Sequence, residues 1–576
     1  MTTLSLVALV TMVLTAVLSI VIGSLGVRMA RTTSDFLVAS RTVGPTVNAS
    51  AISGEYLSYA SFLGIAGLII VRGADGLWYA VSFSAGYLAL VLFVAAPLRR
   101  SGAYTIPDFA EARLDSPRLR LICAVIVAVI GWIYLLPQFQ GAALALTTLT
   151  GAPAWVGVGA AALVVILAVV VGGMRSITFV QALQFWIKFT AVAVPTAVML
   201  ALFLHQGHHG LDYSTTPRFE VDTTVTVHTD VVVEITEPVR FRAEGVVDGQ
   251  AVNGPVLWGA GKHEVASGAR LRFQAGDPVP TPAGTPGTEH FWLERATDAS
   301  GSQLLEIYAV LIAGFLGTMG MPHLLVRFYT NTDGRAARRT TVGVLAMIGG
   351  FYMLLALMGA LSRVYVPRLL VTGRSDLAVM LVPSALFGDG WAAWLLAALI
   401  SAGVAAAFLA TSTGLVVSVA GVLSTDVLRG PARDFRAATF VAAAVPAGLA
   451  AWQSTPNFGV VVLVFALAAA TFCPLLVLGI WWRGLTAIGA GTGVLVGAVL
   501  TGVSVAAHEL MSLPRGWVEA LLANPTPVTV PVAFLTMLVV SKLTRSKVPP
   551  DTNYILLRFH APERLGLGHD RLSRTS

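Results

Sequence analysis

Residues 313–328 read AGFLGTMGMPHLLVRF and hold Gly314, Gly317, Gly320 and Pro322 inside an apolar run long enough to cross a bilayer. Pro322 has no N–H to donate, and each glycine weakens the helix beside it. The stretch therefore predicts a spanning helix that breaks near residue 320. Unwound backbone is tolerated at membrane depth only where protein or a water-filled cavity covers it. Carbonyls freed there suit a cation, and the N-terminus of the next half-helix suits an anionic group.

Two further stretches share this irregularity. Residues 48–67, NASAISGEYLSYASFLGIAG, are dense in Ser, Gly and Ala and carry Glu55. Residues 402–415, AGVAAAFLATSTGL, place Thr411, Ser412 and Thr413 in a row. Small residues alone would indicate only close helix packing. The first of these stretches is the second apolar span of the chain, and the Gly–Pro stretch comes five spans later. Broken helices at matching places in two five-helix repeats mark the binding site of an inverted-repeat transporter. An ionisable residue inside a span is costly, so Glu55 is a coupling candidate: a proton carrier, an electrostatic neighbour of a cation, or a carboxylate reaching a cavity.

The composition agrees. The chain of 576 residues is 56% hydrophobic and 12% charged, with a mean hydropathy of +0.78. A soluble protein is about a quarter charged. Thirteen spans are predicted, at 4–27, 46–71, 77–98, 121–149, 155–173, 179–204, 304–326, 341–361, 391–423, 437–452, 460–482, 485–507 and 528–540. Arg28, Arg31 and Arg41 fall between spans one and two, and Arg99, Arg100, Arg113, Arg118 and Arg120 between three and four. Arg327, Arg335, Arg338 and Arg339 follow span seven, Arg429, Arg433 and Arg436 follow span nine, and Lys542, Arg545 and Lys547 begin the tail. All share one side if the N-terminus is outside, which places the C-terminus in the cytoplasm and the chain in the plasma membrane.

Residues 205–302 differ in kind. They hold seven Lys/Arg and thirteen Asp/Glu, against 30 basic and 17 acidic residues elsewhere. VTVHTDVVVEITEPVRFRA (225–243) and ARLRFQAG (269–276) alternate apolar and polar residues, predicting a small extracellular β-rich insertion. Six of the ten histidines lie here, among them His205, His208 and His209, but no fourth ligand of a metal site is evident, so a solvated linker is expected. Cys123 and Cys473 read as buried apolar residues, Asp108 as the N-cap of a short helix, Lys188 as a snorkelling side chain, and the basic tail as a partly disordered segment. His323 and Arg327 read as an interfacial anchor or gate. No nucleophile–base constellation, metal cluster or phosphate loop is seen, so neither an enzyme nor a nucleic-acid binder is expected.

Five stretches resemble the sodium:solute symporter family, and within it the acetate/pyruvate (cation:monocarboxylate) permease branch. They are SDFLVASRTVGP (34–45), GEYLSYASFLGIAG (54–67), YTIPDFAEARL (104–114), GGMRSITFVQALQ (172–184) and GTMGMPHLLVRFYTNTDGRAAR (317–338), the last being the most branch-specific. The resemblance spans nearly all of the chain outside 205–302 and the far tail.

It implies an all-α polytopic membrane protein with the LeuT-type 5+5 inverted repeat. The implied organisation is an extra N-terminal helix and loop at 1–44, a first repeat at 45–204, the insertion at 205–302, a second repeat at 303–483, two further helices at 484–542 and the tail at 543–576. It also implies a sodium site built from Gly54 and Leu57 on one side and Ala407, Ala410 and Thr411 on the other. The chain departs from the family at Ala410, where many members carry Ser, and at Glu55, where the branch often carries Asp. Candidates for solute contact are Tyr59, Gln138, Gln140, Thr318, Gly320 and Met321, with an interhelical hydrogen bond the alternative for the two glutamines.

The implied function is import of a short monocarboxylate such as acetate, propionate or pyruvate with Na+ or H+ as coupling ion and no organic cofactor. Alternatives are a symporter for proline or a sugar, and a membrane sensor that uses the insertion. The expected partners are the solute, the lipid bilayer and, for the insertion, a component of the cell envelope.

Overall fold

The computed structural model describes residues 2–565 except 28–42, 173, 207–217, 220, 228–229, 283–300, 368–369, 372–377, 428–431, 453–457, 512–515 and 563–564. Arg28, Arg31, Arg41, His208, His209, Arg429 and most of the 34–45 stretch lie outside the described residues.

The chain opens with α1 (Thr3–Val27), α2 (Pro45–Tyr56), α3 (Ile65–Arg72), α4 (Leu77–Ala89), α5 (Ala95–Arg100) and α6 (Ile106–Leu114). Then come α7 (Pro117–Thr150), α8 (Ala154–Val171) and α9 (Met174–His205). After a β-sheet follow α10 (Gly301–Gly320), α11 (Pro322–Phe328), α12 (Gly334–Tyr365), α13 (Ala378–Phe387), α14 (Trp391–Val422) and α15 (Ala432–Trp452). The chain ends with α16 (Phe458–Trp481), α17 (Ala487–Leu510), α18 (Trp517–Ala523), α19 (Thr526–Leu543) and α20 (Thr552–His560).

Eleven described helical stretches are long and apolar enough to cross a membrane, and α10 with α11 makes a twelfth across a 46° bend. One of the eleven, Ala60–Arg100, reverses direction. From Tyr56, which bonds Thr318 of α10, the chain runs to Arg72, which pairs with Glu306 at 2.7 Å, so this part is antiparallel to α10. The next part runs with α10, since Gly314 abuts Ser82 and Gly86 abuts Thr318. The reversal is the 3-10 turn Gly73–Gly76, where Gly73 takes φ 59°, open to glycine at no steric cost. Thus α2 and α3 form one interrupted stretch and α4 and α5 the next, so Ala60–Arg100, counted once among the eleven to twelve described candidate spans, holds parts of two.

Leu14, Val17, Leu163, Leu395, Val499 and Val503 lie exposed on helix surfaces, which suits lipid rather than water. Trp155, Trp391, Trp452 and Trp517 are exposed at helix ends, where aromatic belts form. The interior is built around α14, which packs on α1, α2, α7 and α9, and around α10, which packs on α4 and α16.

The arginine-bearing loops meet at one end. Arg99 donates to Asn331 and Thr332 carbonyls, and Arg100 to that of His560 at 3.2 Å. Arg113 reaches Thr552, and Arg120 pairs with Asp108 at 2.9 Å, Glu111 at 2.6 Å and Asp426. Two expectations are corrected here. Thr105, not Asp108, caps α6: its hydroxyl accepts from the Asp108 N–H, while the Asp108 carboxylate takes Arg120 and the Tyr104 N–H. Residues 552–560 of the tail form α20, because Phe559 finds a buried place stacked on Phe109 at 5.6 Å.

Inside the insertion, β1 (Thr223–Thr226), β2 (Val231–Ile235), β3 (Val239–Val247), β4 (Gln250–Trp258), β5 (Gly261–Val265), β6 (Arg270–Phe273) and β7 (Thr281–Pro282) form one antiparallel sheet. Its order is β1-β6-β3-β5-β2-β7, with β4 paired to β3 off this path. Alternation along β3 turns Phe241 inward onto Trp258 at 4.4 Å and Phe273 at 4.9 Å.

Candidate functional site at the two broken spans

Pro45 at the first helical position starts α2, and Leu57, at φ −73° and ψ 81°, ends it. The chain resumes through a π-helical turn, Ala60–Gly64, into α3. Side chains engage several of the backbone groups at this break. The Ser58 hydroxyl accepts the Ser61 N–H, and the Gln138 side-chain oxygen accepts the Tyr59 N–H at 3.1 Å. The carbonyls of Gly54 and Leu57 both accept from the Lys188 ammonium, the latter at 2.7 Å.

Lys188 is thus not a snorkelling side chain: it is fully buried in α9 and aimed into the protein. The reason is local packing. A Cβ on Gly54 would collide with the Gln181 carbonyl, so the missing side chain lets α2 and α9 approach closely. Gln181, Phe185 and Lys188 then share the facing stripe of α9. A signal existed in the sequence: Gln181, Gln184 and Lys188 are polar at helical spacing inside an otherwise apolar span, which points a charge inward rather than to lipid.

At the second break, Met321 takes φ −69° and ψ 114°, and Pro322 opens α11. The neighbouring glycines act mainly by closeness. A Cβ on Gly317 would meet the Phe465 carbonyl, one on Gly320 the Ala468 carbonyl, and one on Gly314 the Ser82 hydroxyl. They let α16 and α4 pack backbone-close on α10, and Gly320 has no open space beside it.

The two breaks face one another. Tyr56 donates to the Phe83 carbonyl at 3.0 Å, which leaves the Thr318 hydroxyl to donate to Tyr56, also at 3.0 Å. Asn48 donates to the Arg327 carbonyl, and Arg327 Nε lies 2.8 Å from Glu55 Oε2. Arg327 also donates to Thr178 at 2.7 Å and to Gln181. Neither Arg327 nor His323 is interfacial; both are buried in the core. Tyr134 packs edge-on against His323 at 5.5 Å and Phe465 at 6.3 Å, and Tyr56 against Tyr87 at 5.1 Å.

The α14 residues join from the side. Thr411 donates to the Glu55 carbonyl at 2.5 Å, and the Ala410 carbonyl accepts from Gln181 at 2.8 Å. Gly414 leaves room for the Glu55 carboxylate, which a Cβ there would strike. Ala407 is buried on the same helix. Gly54, Leu57, Ala410 and Thr411 therefore come together with Glu55: Lys188 engages the Gly54 and Leu57 carbonyls, Gln181 that of Ala410, and the Thr411 hydroxyl is spent on the Glu55 carbonyl. Among the other candidates, Tyr59 lies against Gly141, Gln138 reaches the first break, Gln140 is buried beside it in sequence, and Met321 is buried at the second break. Gln138 Nε2 and both ring nitrogens of His323 are buried without a hydrogen-bond partner among the described residues.

A multi-pass bundle with two broken spans joined through a buried charge cluster suits a solute transporter of the LeuT type, and comparison with known proteins agrees. The description of the sodium:solute symporter family matches residues 36–243 and 295–497, so the chain belongs to that family. Similar curated proteins include an uncharacterised symporter, YwcA, of Bacillus subtilis, 28% identical over 90% of each chain. A monocarboxylic acid transporter of Corynebacterium glutamicum is 26% identical over 88% of this chain and 86% of its own. Among solved structures, a Na+-coupled sialic acid symporter in a substrate-bound outward-open state superposes with a TM-score of 0.61 at 12% identity, covering 93% of this chain and 98% of that one. Mhp1, a nucleobase-cation-symport-1 family transporter, gives 0.50 at 14% identity over 92% and 99%.

Proposed function

We propose that this chain imports a short monocarboxylate, of the acetate, propionate or pyruvate kind, together with a cation, Na+ or H+, by alternating access between two repeats at 45–204 and 303–483. The observation that carries the reading is a charge count. Lys188 and Arg327 are buried basic groups beside one buried carboxylate, Glu55, so with all three ionised the low-dielectric core holds one positive charge in excess. Uncompensated buried charge is costly, and a monoanion bound between the breaks would offset it. A neutral sugar or a zwitterion would not. The name of the Corynebacterium relative points the same way.

In this reading the Gln138 amide and His323 supply donors for the carboxylate, and Tyr59, Tyr134 and Met321 bound a small apolar pocket. One cation moving with one monoanion carries no net charge, so accumulation would draw on the chemical gradient, about 1.4 kcal/mol per tenfold ratio. In this reading the end that carries the loop arginines faces the cytoplasm and the β-sheet faces outside, as the excess of basic residues in those loops favours.

The test is uptake of radiolabelled acetate, pyruvate and proline into proteoliposomes holding the purified chain, with protein-free vesicles subtracted, under imposed sodium or proton gradients. Gradient-driven pyruvate and acetate uptake without proline uptake is expected. Proline uptake without monocarboxylate uptake would overturn the proposal.

A further inference from the structure

The family's name implies sodium, and the residues implied to bind it are assembled, yet their oxygens are not free. Gly54 belongs to the last turn of α2 and Leu57 follows its end, so their carbonyls are the orphaned acceptors of a helix C-terminus, where the helix dipole favours positive charge. Both accept from Lys188, which arrives from α9, a helix that packs on α2 and on α14. An ammonium has three donors and carries the same unit charge as sodium, so it satisfies this cradle with hydrogen bonds. The other side of the cradle is also engaged: Thr411 donates its hydroxyl proton to the Glu55 carbonyl, and the Ala410 carbonyl takes the Gln181 amide. The hydroxyl that a Ser at position 410 would add is missing from the sequence. A sodium ion placed here would have to displace Lys188 from two carbonyls and then sit beside an ammonium that repels it.

We infer that the Lys188 ammonium is the resident cation of this cradle, tying α9 to the broken end of α2 as an ion would, and that sodium does not bind there. The charged group acting on Lys188 is Glu55 on α2, which Arg327 of α11 holds in turn, and α1 and α14 carry no titratable side chain. The helix that carries the lysine is held backbone-close to α2, since a Cβ on Gly54 would strike the Gln181 carbonyl, so α9 keeps Lys188 within reach of both carbonyls. For transport, the inference rests on the symporter reading above; for ion binding it does not.

The experiment measures thermal unfolding of the purified full-length protein without solute, in sodium chloride and in N-methylglucamine chloride at equal ionic strength. The wild-type midpoint is expected to be the same in both salts. Lys188→Ala, which removes the ammonium and leaves the carbonyls bare, is expected to gain a saturable, sodium-specific rise of ~3 °C or more. Lys188→Met keeps the stem without the charge and serves if the alanine variant does not fold. A wild-type sodium shift that persists unchanged in both variants, or variants that gain no sodium response, would overturn the inference. Failure of monocarboxylate uptake would sink the solute assignment alone, because this readout contains no solute.

Discussion

Arg327 Nε sits 2.8 Å from Glu55 Oε2, and this pair joins the half-helix after the second break to the last turn before the first. Both side chains are 1% exposed, so neither partner can fall back on water. Removing Arg327 strips the Glu55 carboxylate of its hydrogen-bonded partner and leaves the buried Thr178 and Gln181 oxygens without theirs, at about 1–3 kcal/mol for each unsatisfied group. Arg327→Ala is expected to lower the unfolding midpoint in detergent by several degrees and to abolish transport. The double change Glu55→Gln with Arg327→Gln removes both charges and should recover at least half of the lost stability, as a double-mutant cycle would measure. Additive losses would mean the two residues act separately.

The positions of both breaks were legible because they rest on local chemistry. Pro322 forbids a hydrogen bond wherever the chain goes, and the Ser–Gly–Ala run at 48–67 predicts an irregular, closely packed helix. The spans and the sheet followed from periodicity of two kinds, one set by lipid and one by a half-buried strand. The role of Lys188 was not legible in the same way. Its partners, Gly54 and Leu57, are 134 and 131 residues away, and only the backbone-close packing at Gly54 brings them within reach. Gly317 and Gly320 read as helix looseners, yet what they face across space, the Phe465 and Ala468 carbonyls, makes them packing positions. The order in residues 552–560 likewise depends on Phe109, a residue far away in sequence.

Gly414 gives a test of how closely α14 must approach Glu55. A methyl group there would strike the Glu55 carboxylate, which is already fixed by Arg327 and cannot step aside cheaply. Gly414→Ala is expected to cut the initial rate of solute uptake more than tenfold and to lower the unfolding midpoint. Gly159→Ala on α8 has open space around it and should change neither. Equal behaviour of the two variants in both measurements would argue that α14 and α2 are not tightly registered.

Gln138 separates a structural role from a solute role within one side chain. Its oxygen holds the Tyr59 N–H at 3.1 Å, while its Nε2 is buried without a partner. Gln138→Glu keeps an acceptor for Tyr59, removes the amide donor and adds a negative charge next to the proposed carboxylate position. The Km for a monocarboxylate should rise tenfold or more, about 1.4 kcal/mol, with the midpoint of unfolding nearly unchanged. Gln138→Leu should lose stability as well, because the Tyr59 N–H is then buried and unsatisfied at about 1–3 kcal/mol. An unaltered Km in the glutamate variant would remove Gln138 from the solute site.

The C-terminal helix α20 should clamp the loop-bearing end of the bundle rather than hang from it. Phe559 is fully buried against Phe109, and the carbonyl of the next residue accepts from Arg100. Arg113 adds a bond to Thr552 at 3.3 Å while also holding the Gly479 and Trp482 carbonyls at the end of α16. Burial of a phenylalanine of this kind is worth about 3–5 kcal/mol to the element that carries it. Phe559→Ala is therefore expected to release α20, seen as faster amide hydrogen exchange and new proteolytic cleavage near residues 549–561, with the span helices still protected. Tyr554→Ala, on the exposed face of the same helix, should leave exchange as it was. If both variants keep α20 protected, the anchoring contact lies elsewhere on the helix, and Arg100 and Arg113 would be the residues to change next.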